Sequence, residues 1–307
     1  MKVLILGGSG YLGFALANYL SFFFKVTLCT RSLNRVKSLK KKCLLVKSNY
    51  LDIKQLEKII KGHDVVIHSV GMTSSQISKD NNGLKLKKII TQNIVTACNH
   101  QNVKKLIYFS TIQVYQNYEK SKIINEKTKI YSKNNIYCKS HIEAEKIIIN
   151  KNNKINYVII RLASIFGFNV LQAMGEQSKT LINNLCKTLV IDKKIEIQNP
   201  NIIRNFLPIS IFLKNIKKII NENQEYNIIN VGYKTYSLFD ISLLISKCYE
   251  RNVKEKVKCH FSKKKRKKKS LFKYKSLYLK SLFKKTVFIN DISNMINAYR
   301  EKYDKKI

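Results

Sequence analysis

The sequence predicts an α/β protein built on a doubly wound parallel sheet, with a smaller C-terminal lobe. Three observations carry that prediction. The chain opens on an apolar run, a glycine-rich turn and a helical pattern in direct succession. The α/β alternation stays regular to about residue 167 and is interrupted over 168–200 and 204–285. At 307 residues with 45% hydrophobic side chains, the chain can fill one large or two small cores. Intrinsic disorder and small disulfide-stapled scaffolds are thereby excluded.

Lys2 to Leu6 (KVLIL) reads as the first strand and stops at Gly7-Gly8-Ser9-Gly10. Leu12, Ala15, Leu16 and Leu20 follow at spacings of three and four, which predicts a helix. Lys25 to Cys29 is a second apolar run. Strand, turn, helix, strand is a βαβ unit, and its right-handed crossover implies parallel strands. The glycines fall as Gly7-x-x-Gly10-x-x-Gly13. The first two permit a tight turn and close approach of the backbone to a pyrophosphate; the third lets the helix pack near the strand. The unit is therefore Rossmann-like, with Gly7, Ser9, Gly10, Tyr11, Leu12 and Gly13 expected around a dinucleotide. The second strand ends in Cys29-Thr30-Arg31-Ser32, with no carboxylate to accept bonds from ribose hydroxyls. Arg31 either pairs with a 2′-phosphate or is a solvated loop charge, and the first reading makes NADP the preferred cofactor over NAD.

Several later segments, in one order, resemble the extended short-chain dehydrogenase/reductase family of nucleotide-sugar epimerases and dehydratases. Asp64 to Gly71 (DVVIHSVG) looks like that family's fourth strand, and Asn93 in TQNIVTACNHQNVKKLIYFST like its helix Asn followed by the fifth strand. Ser110-Thr111-Ile112-Gln113-Val114-Tyr115 is similar to S-[ST]-x-x-V-Y, and Tyr137 to Glu145 (YCKSHIEAE) resembles the Y-x-x-S-K-x-x-A-E helix. Arg161 to Gly167, Arg204-Asn205-Phe206 and Asn230-Val231-Gly232 match three further signatures, so the resemblance spans residues 1 to 303. It implies residues 1–167 as an NAD(P)-binding domain and 168–307 mainly as a substrate lobe, with some segments returning to the sheet. It also implies cofactor contacts from Asn49, Tyr50, His68, Val70 and Asn93, substrate contacts from Thr73, Thr111 and Arg204, and a homodimer through the helices around residues 93 and 137.

The resemblance casts Tyr137 as the proton donor or acceptor during hydride transfer, with Thr111 orienting the substrate oxygen. A free tyrosine ionises near pH 10, so it needs help at neutral pH. In the family a lysine one helical turn later lowers that value by Coulombic attraction and bonds the nicotinamide ribose. Here that position is His141. A neutral imidazole can bond a ribose hydroxyl but supplies no charge, and Lys139 points to another side of the helix. Tyr118 to Lys122 satisfies Y-x-x-x-K literally, yet it lies only seven residues after Thr111 and lacks the following Ala-Glu. Asn49 stands where the family often has an adenine-contacting Asp, and Gln116 where a Gly is usual.

The remaining features are plainer. A net charge of +39 ordinarily suggests nucleic acid or an anionic membrane, but the excess is lysine, with only 7 Arg, as compositional bias would produce. The densest run, 263 to 269 (KKKRKKK), is read as a solvated loop in preference to a polyanion contact. Seven cysteines without a CxxC pair read as reduced thiols of a cytoplasmic protein, and the glycines at 7, 8, 10 and 13 argue against an export signal. No metal site is expected; His68 reads as a strand-end residue, and His63, His100 and His260 as surface residues. Residues 286 to 303 read as a closing amphipathic helix. The alternative to an enzyme is a non-catalytic dinucleotide-binding sensor or assembly protein that has lost the catalytic Lys.

Overall fold

The structure, a computed structural model, describes residues 1–71, 77, 82–115, 121–131, 135–151, 155–168, 180–222, 226–262, 270–279 and 285–303. Thr73, Gln116 and the 263–269 run lie outside them, as do Tyr118 and most of 169–187 up to residue 179. The chain divides into two compact units. The first comprises Met1–Gln116, Thr128–Arg161 and Ile216–Ile229; the second comprises Asn117–Lys127, Leu162–Asn215 and Asn230–Ile307.

In the first unit, β1 (Lys2–Leu6), α1 (Tyr11–Leu20), β2 (Lys25–Thr30), β3 (Leu44–Lys47), α2 (Ile53–Ile60) and β4 (Val65–His68) alternate. There follow α3 (Asn82–His100), β5 (Lys105–Thr111), the short β6 (Ile123–Ile124, in the second unit), α4 (Ile136–Lys151) and β7 (Asn156–Leu162). Strands β1 to β5 of this sheet pair in parallel, as the first crossover predicts. Valine, isoleucine and leucine fill them because helices cover both faces, and Val3 to Leu6 are wholly buried. The core beneath joins Leu4, Leu6, Val66, Leu106 and Tyr108 to Ile94, Val95 and Cys98 of α3 and to Ala144 and Ile148 of α4. Helix starts are set by side chains that satisfy orphan N–H groups. Asp52 accepts from Gln55 N (3.0 Å) at α2, and Asn135 Oδ1 from Cys138 N (3.1 Å) at α4.

The second unit continues with β8 (Ser164–Phe166), α5 (Leu181–Asp192), β9 (Lys194–Ile197) and β10 (Ile203–Pro208). Next in the chain come α6 (Ile209–Asn221) and β11 (Ile228–Val231), whose Ile216–Ile229 stretch belongs to the first unit, then β12 (Lys234–Ser237), α7 (Leu238–Val253), β13 (Lys258–Phe261), β14 (Lys273–Tyr274) and α8 (Lys285–Tyr303). Among the described residues β10 lies between β8 and β12, and β9 pairs with β13. Leu185, Leu189, Ile241, Ile245, Phe288, Ile292 and Met295 form a separate core under α5, α7 and α8. The expected interruption over 204–285 is narrower than the sequence suggested. β10, α6 and β11 run as strand, helix, strand, and β11 returns to the main sheet beyond β7, giving the order β11-β7-β5-β4-β1-β2-β3. The apolar periods there were masked by the lysines and asparagines between them.

Candidate active site

The glycine turn joins β1 to α1 as expected. Gly7 has φ +95°, and a Cβ on it would meet the Ser69 backbone at 2.8 Å. A Cβ on Gly13 would lie 2.4 Å from Gly7 O, so only glycine lets the helix sit on the loop. Gly10, at the helix N-cap, offers the first turn no side-chain oxygen, which leaves that end suited to a phosphate. Tyr50 lies under this turn, 3% exposed: its hydroxyl accepts from Gly7 N (3.0 Å) and donates to Cys29 O (2.9 Å). Asn93 on α3 donates to Tyr50 O (3.3 Å) and Leu51 O (3.1 Å), tying down the segment that exposes Asn49. Arg31 is exposed just past β2, Ser9, Tyr11, Leu12 and Val70 are half-buried, and His68 is buried at the end of β4. The residues of this corner fit a dinucleotide: a cradle closed to any Cβ, an uncapped helix start, and an exposed cation at the ribose end of β2.

Thr111 ends β5, where its hydroxyl accepts from Gln113 N (3.3 Å) and lies near enough to the Tyr137 side chain of α4 to favour its ionised form. Burial, with Cys138 adding to it, pushes the Tyr137 phenol up to about 12, and the nearby Thr111 hydroxyl opposes that rise. His141 packs edge-on against Tyr137 with ring centroids 4.7 Å apart, and its Nδ1 shares a 2.9 Å hydrogen bond with Tyr108 OH. Burial first, then the charge of Lys87 and the nearness of His68, hold the His141 imidazole well below its usual range. It is neutral at pH 7 and supplies no charge. His68 is neutral too, lowered to about 3 by burial and then by Lys87.

Sequence reasoning missed Lys87. It projects from α3 into the space beside α4, only 4% exposed. Its Nζ donates to Ser140 Oγ (3.4 Å) and lies 5.9 Å from the ring centroids of both Tyr108 and Tyr137. Burial pushes its pKa down to about 7, partly opposed by Glu145. A signal was available: Lys87, Thr91, Ile94 and Cys98 recur at helical spacing, so a lysine occupies the apolar stripe of α3. Arg161 on β7 has its own partners. Nε and Nη2 meet Glu145 at 3.1 and 2.7 Å, and Nη1 donates to Tyr115 OH at 2.9 Å. Ser110 Oγ donates to the same carboxylate (2.5 Å).

Arg204 sits half-buried on β10 in the second unit, with Tyr236 opposite it on β12. That unit holds a cavity of about 550 Å³, lined by Asn205, Asn215, Asn230, Gly232, Tyr274 and Lys275 among others. His100 and His260 are exposed, whereas His63 is half-buried, with Nε2 and Thr27 Oγ1 2.9 Å apart; the polar loop around it concealed that. Among the described residues no His/Cys/Asp/Glu cluster could hold a metal, and no helix is long and apolar enough to cross a membrane.

Comparison with known proteins gives this geometry a family. Over 261 residues the chain is 27% identical to a dTDP-D-glucose 4,6-dehydratase of Dictyostelium discoideum, covering 75% of this chain and 58% of that protein. It is 25% identical over 254 residues to a GDP-6-deoxy-D-talose 4-dehydrogenase of Aggregatibacter actinomycetemcomitans, covering 80% of each. In three dimensions it is similar to a UDP-glucuronic acid 4-epimerase of Bacillus cereus solved with UDP-glucuronic acid and NAD. That likeness has TM-score 0.78, 18% identity, and 99% and 100% of the two chains covered, and it speaks for the fold alone. The model of the NAD-dependent epimerase/dehydratase family matches residues 3–232, from the first strand through the last strand of the main sheet, and to that family this chain belongs.

Proposed function

We propose that the protein acts on a nucleotide-activated sugar by hydride transfer, as an epimerase, dehydratase or reductase, with Tyr137 as the acid–base group. The nearness of the Thr111 hydroxyl, at the end of β5, to Tyr137 carries the reading. They are the pair a sugar hydroxyl or ketone needs, one group to hold its oxygen and one to exchange its proton. The dinucleotide, when bound, supplies the hydride acceptor or donor. Gly7 to Gly13 would hold its pyrophosphate. Arg31, with no carboxylate on that strand end, favours NADP over NAD. Arg204 is the candidate for the sugar nucleotide's diphosphate, because a guanidinium fork matches phosphate oxygens. Pairing of two copies through α3 and α4, and a cytoplasmic setting, complete the reading.

Native mass spectrometry of the purified protein should find a retained dinucleotide and identify it. Against a panel of nucleotide sugars, Tyr137→Phe should lower turnover by about 10²–10⁴-fold with dinucleotide binding intact. Unchanged turnover in that variant sinks the reading. The second reading, a non-catalytic dinucleotide-binding protein, has one observation in its favour: residue 141 is a buried neutral imidazole where the family pattern has a cation. Retained dinucleotide with no turnover on any sugar of the panel would favour it.

A further inference from the structure

We propose that Lys87, reaching across from α3, supplies beside Tyr137 the positive charge that the family's pattern would supply from residue 141. The inference rests on the reading of Tyr137 as the acid–base group. Its geometry is independent of that reading. Lys87 Nζ lies 5.9 Å from the Tyr137 ring centroid, and it donates to Ser140 Oγ, which in turn donates to Tyr137 O at 2.7 Å. An ammonium at that range, itself buried beside a half-buried tyrosine, attracts a phenolate, because the protein around it screens the pair less than water would.

The surroundings explain why the charge arrives from α3 and why residue 141 carries none. Facing Lys87 are Tyr108 on β5, His68 on β4, and Tyr137, Ser140, His141 and Glu145 on α4; Thr91 of its own helix bonds its carbonyl oxygen (2.8 Å). Glu145 attracts it, but both carboxylate oxygens are already held by Arg161 and one of them also by Ser110. A lysine at 141 would bring a second ammonium into the same buried space, where two like charges repel with little water to screen them. His141, neutral and bonded to Tyr108, leaves room for one ammonium; Lys87 carries it below about pH 7, and an ionising Tyr137 beside it would hold that charge to higher pH. A lysine placed there for structure alone is poorly served: its one hydrogen bond among the described residues is 3.4 Å long. A methionine would fill the same stripe position on α3 without desolvating an ammonium.

The test is a charge relocation. Three proteins are compared: native, Lys87→Met, and Lys87→Met/His141→Lys, with Lys87→Gln as a second neutral variant should Lys87→Met not fold. A difluorotyrosine, which ionises at lower pH than tyrosine, is installed at position 137 and followed by fluorine NMR. Its pKa should rise by about one to two units in Lys87→Met and return toward the native value in the double variant. Turnover of the panel sugar should fall by about 10–100-fold in Lys87→Met, mainly in kcat with KM little changed, and recover by about tenfold or more in the double variant. An unmoved titration at position 137 overturns the proposal whatever the activities are. A shifted titration in a protein that turns over no sugar upholds the electrostatic assignment and rejects the catalytic reading of Tyr137, so the two failures are told apart.

Discussion

Two buried cations of the first unit stand close to the same carboxylate and are treated in opposite ways. Arg161 is held by a bidentate pair with Glu145 and by Tyr115. Burial works against its charge, but the bonds and charge of Glu145 keep its pKa above the ordinary value. Among the described residues Lys87 has one long bond to Ser140 and two aromatic faces, and its pKa falls to about 7. The first arrangement completes a structure: a fork matched to a carboxylate, with the third nitrogen bonded to Tyr115. The second costs stability and is placed against Tyr137. A poorly satisfied buried charge marks a functional group more reliably than a well-paired one, because folding alone gives no reason to keep it.

The comparison can be broken most forcefully at Arg161. Arg161→Met leaves Glu145 buried without its partner, and denaturant unfolding should show a loss of about 3–5 kcal/mol. A loss below about 1 kcal/mol would mean that the pair is not structural. The Lys87 side is tested through pH. Its pKa is lower in the folded protein than the ordinary 10.5, so between about pH 7 and 10.5 the unfolded chain binds a proton that the folded one has released. Stability contributed by this group therefore rises with pH across that window and is lowest below pH 7. From pH 6 to pH 9 the native protein should gain about 2–3 kcal/mol relative to Lys87→Met, which lacks the group. The variant should also be the more stable of the two at pH 6 while it is the less active, a combination that a purely structural lysine does not give. Lys105 sharpens the contrast as an intermediate case. Its Nζ is buried yet donates to the carbonyls of Ile219, Ile220 and Glu222 at 2.8, 3.2 and 2.6 Å. Lys105→Met should cost about 1–3 kcal/mol in the same unfolding measurement, since it strands carbonyls that now have a donor.

Much of this was legible in the chain because it is local. Gly7, Gly10 and Gly13 announce the turn by spacing alone, and the turn forms between β1 and α1 as read. Thr111 and Tyr137 are identified by order along the sequence, and the fold brings the Thr111 hydroxyl near the Tyr137 side chain. Tyr50 was read as a cofactor contact from its neighbours. Its burial under the glycine turn shows a prop for the loop, which depends on β2 passing beneath and is invisible in the segment itself. His63 looked superficial for the same reason in reverse, its partner Thr27 lying 36 residues away.

The sequence by itself determined the fold class, the glycine turn, the strand-end threonine, the tyrosine and the absence of a lysine at 141, since each depends on residue type and spacing along one element. Only the tertiary structure decided the charges. Whether His141 is cationic depends on how completely α3 and β4 cover it, and Lys87 reaches Tyr137, 50 residues away in the chain, only because α3 packs against α4. Electrostatic free energies depend on burial and on distance through space. A chain of +39 offers many candidate cations, and among the described residues packing brings Lys87 to Tyr137.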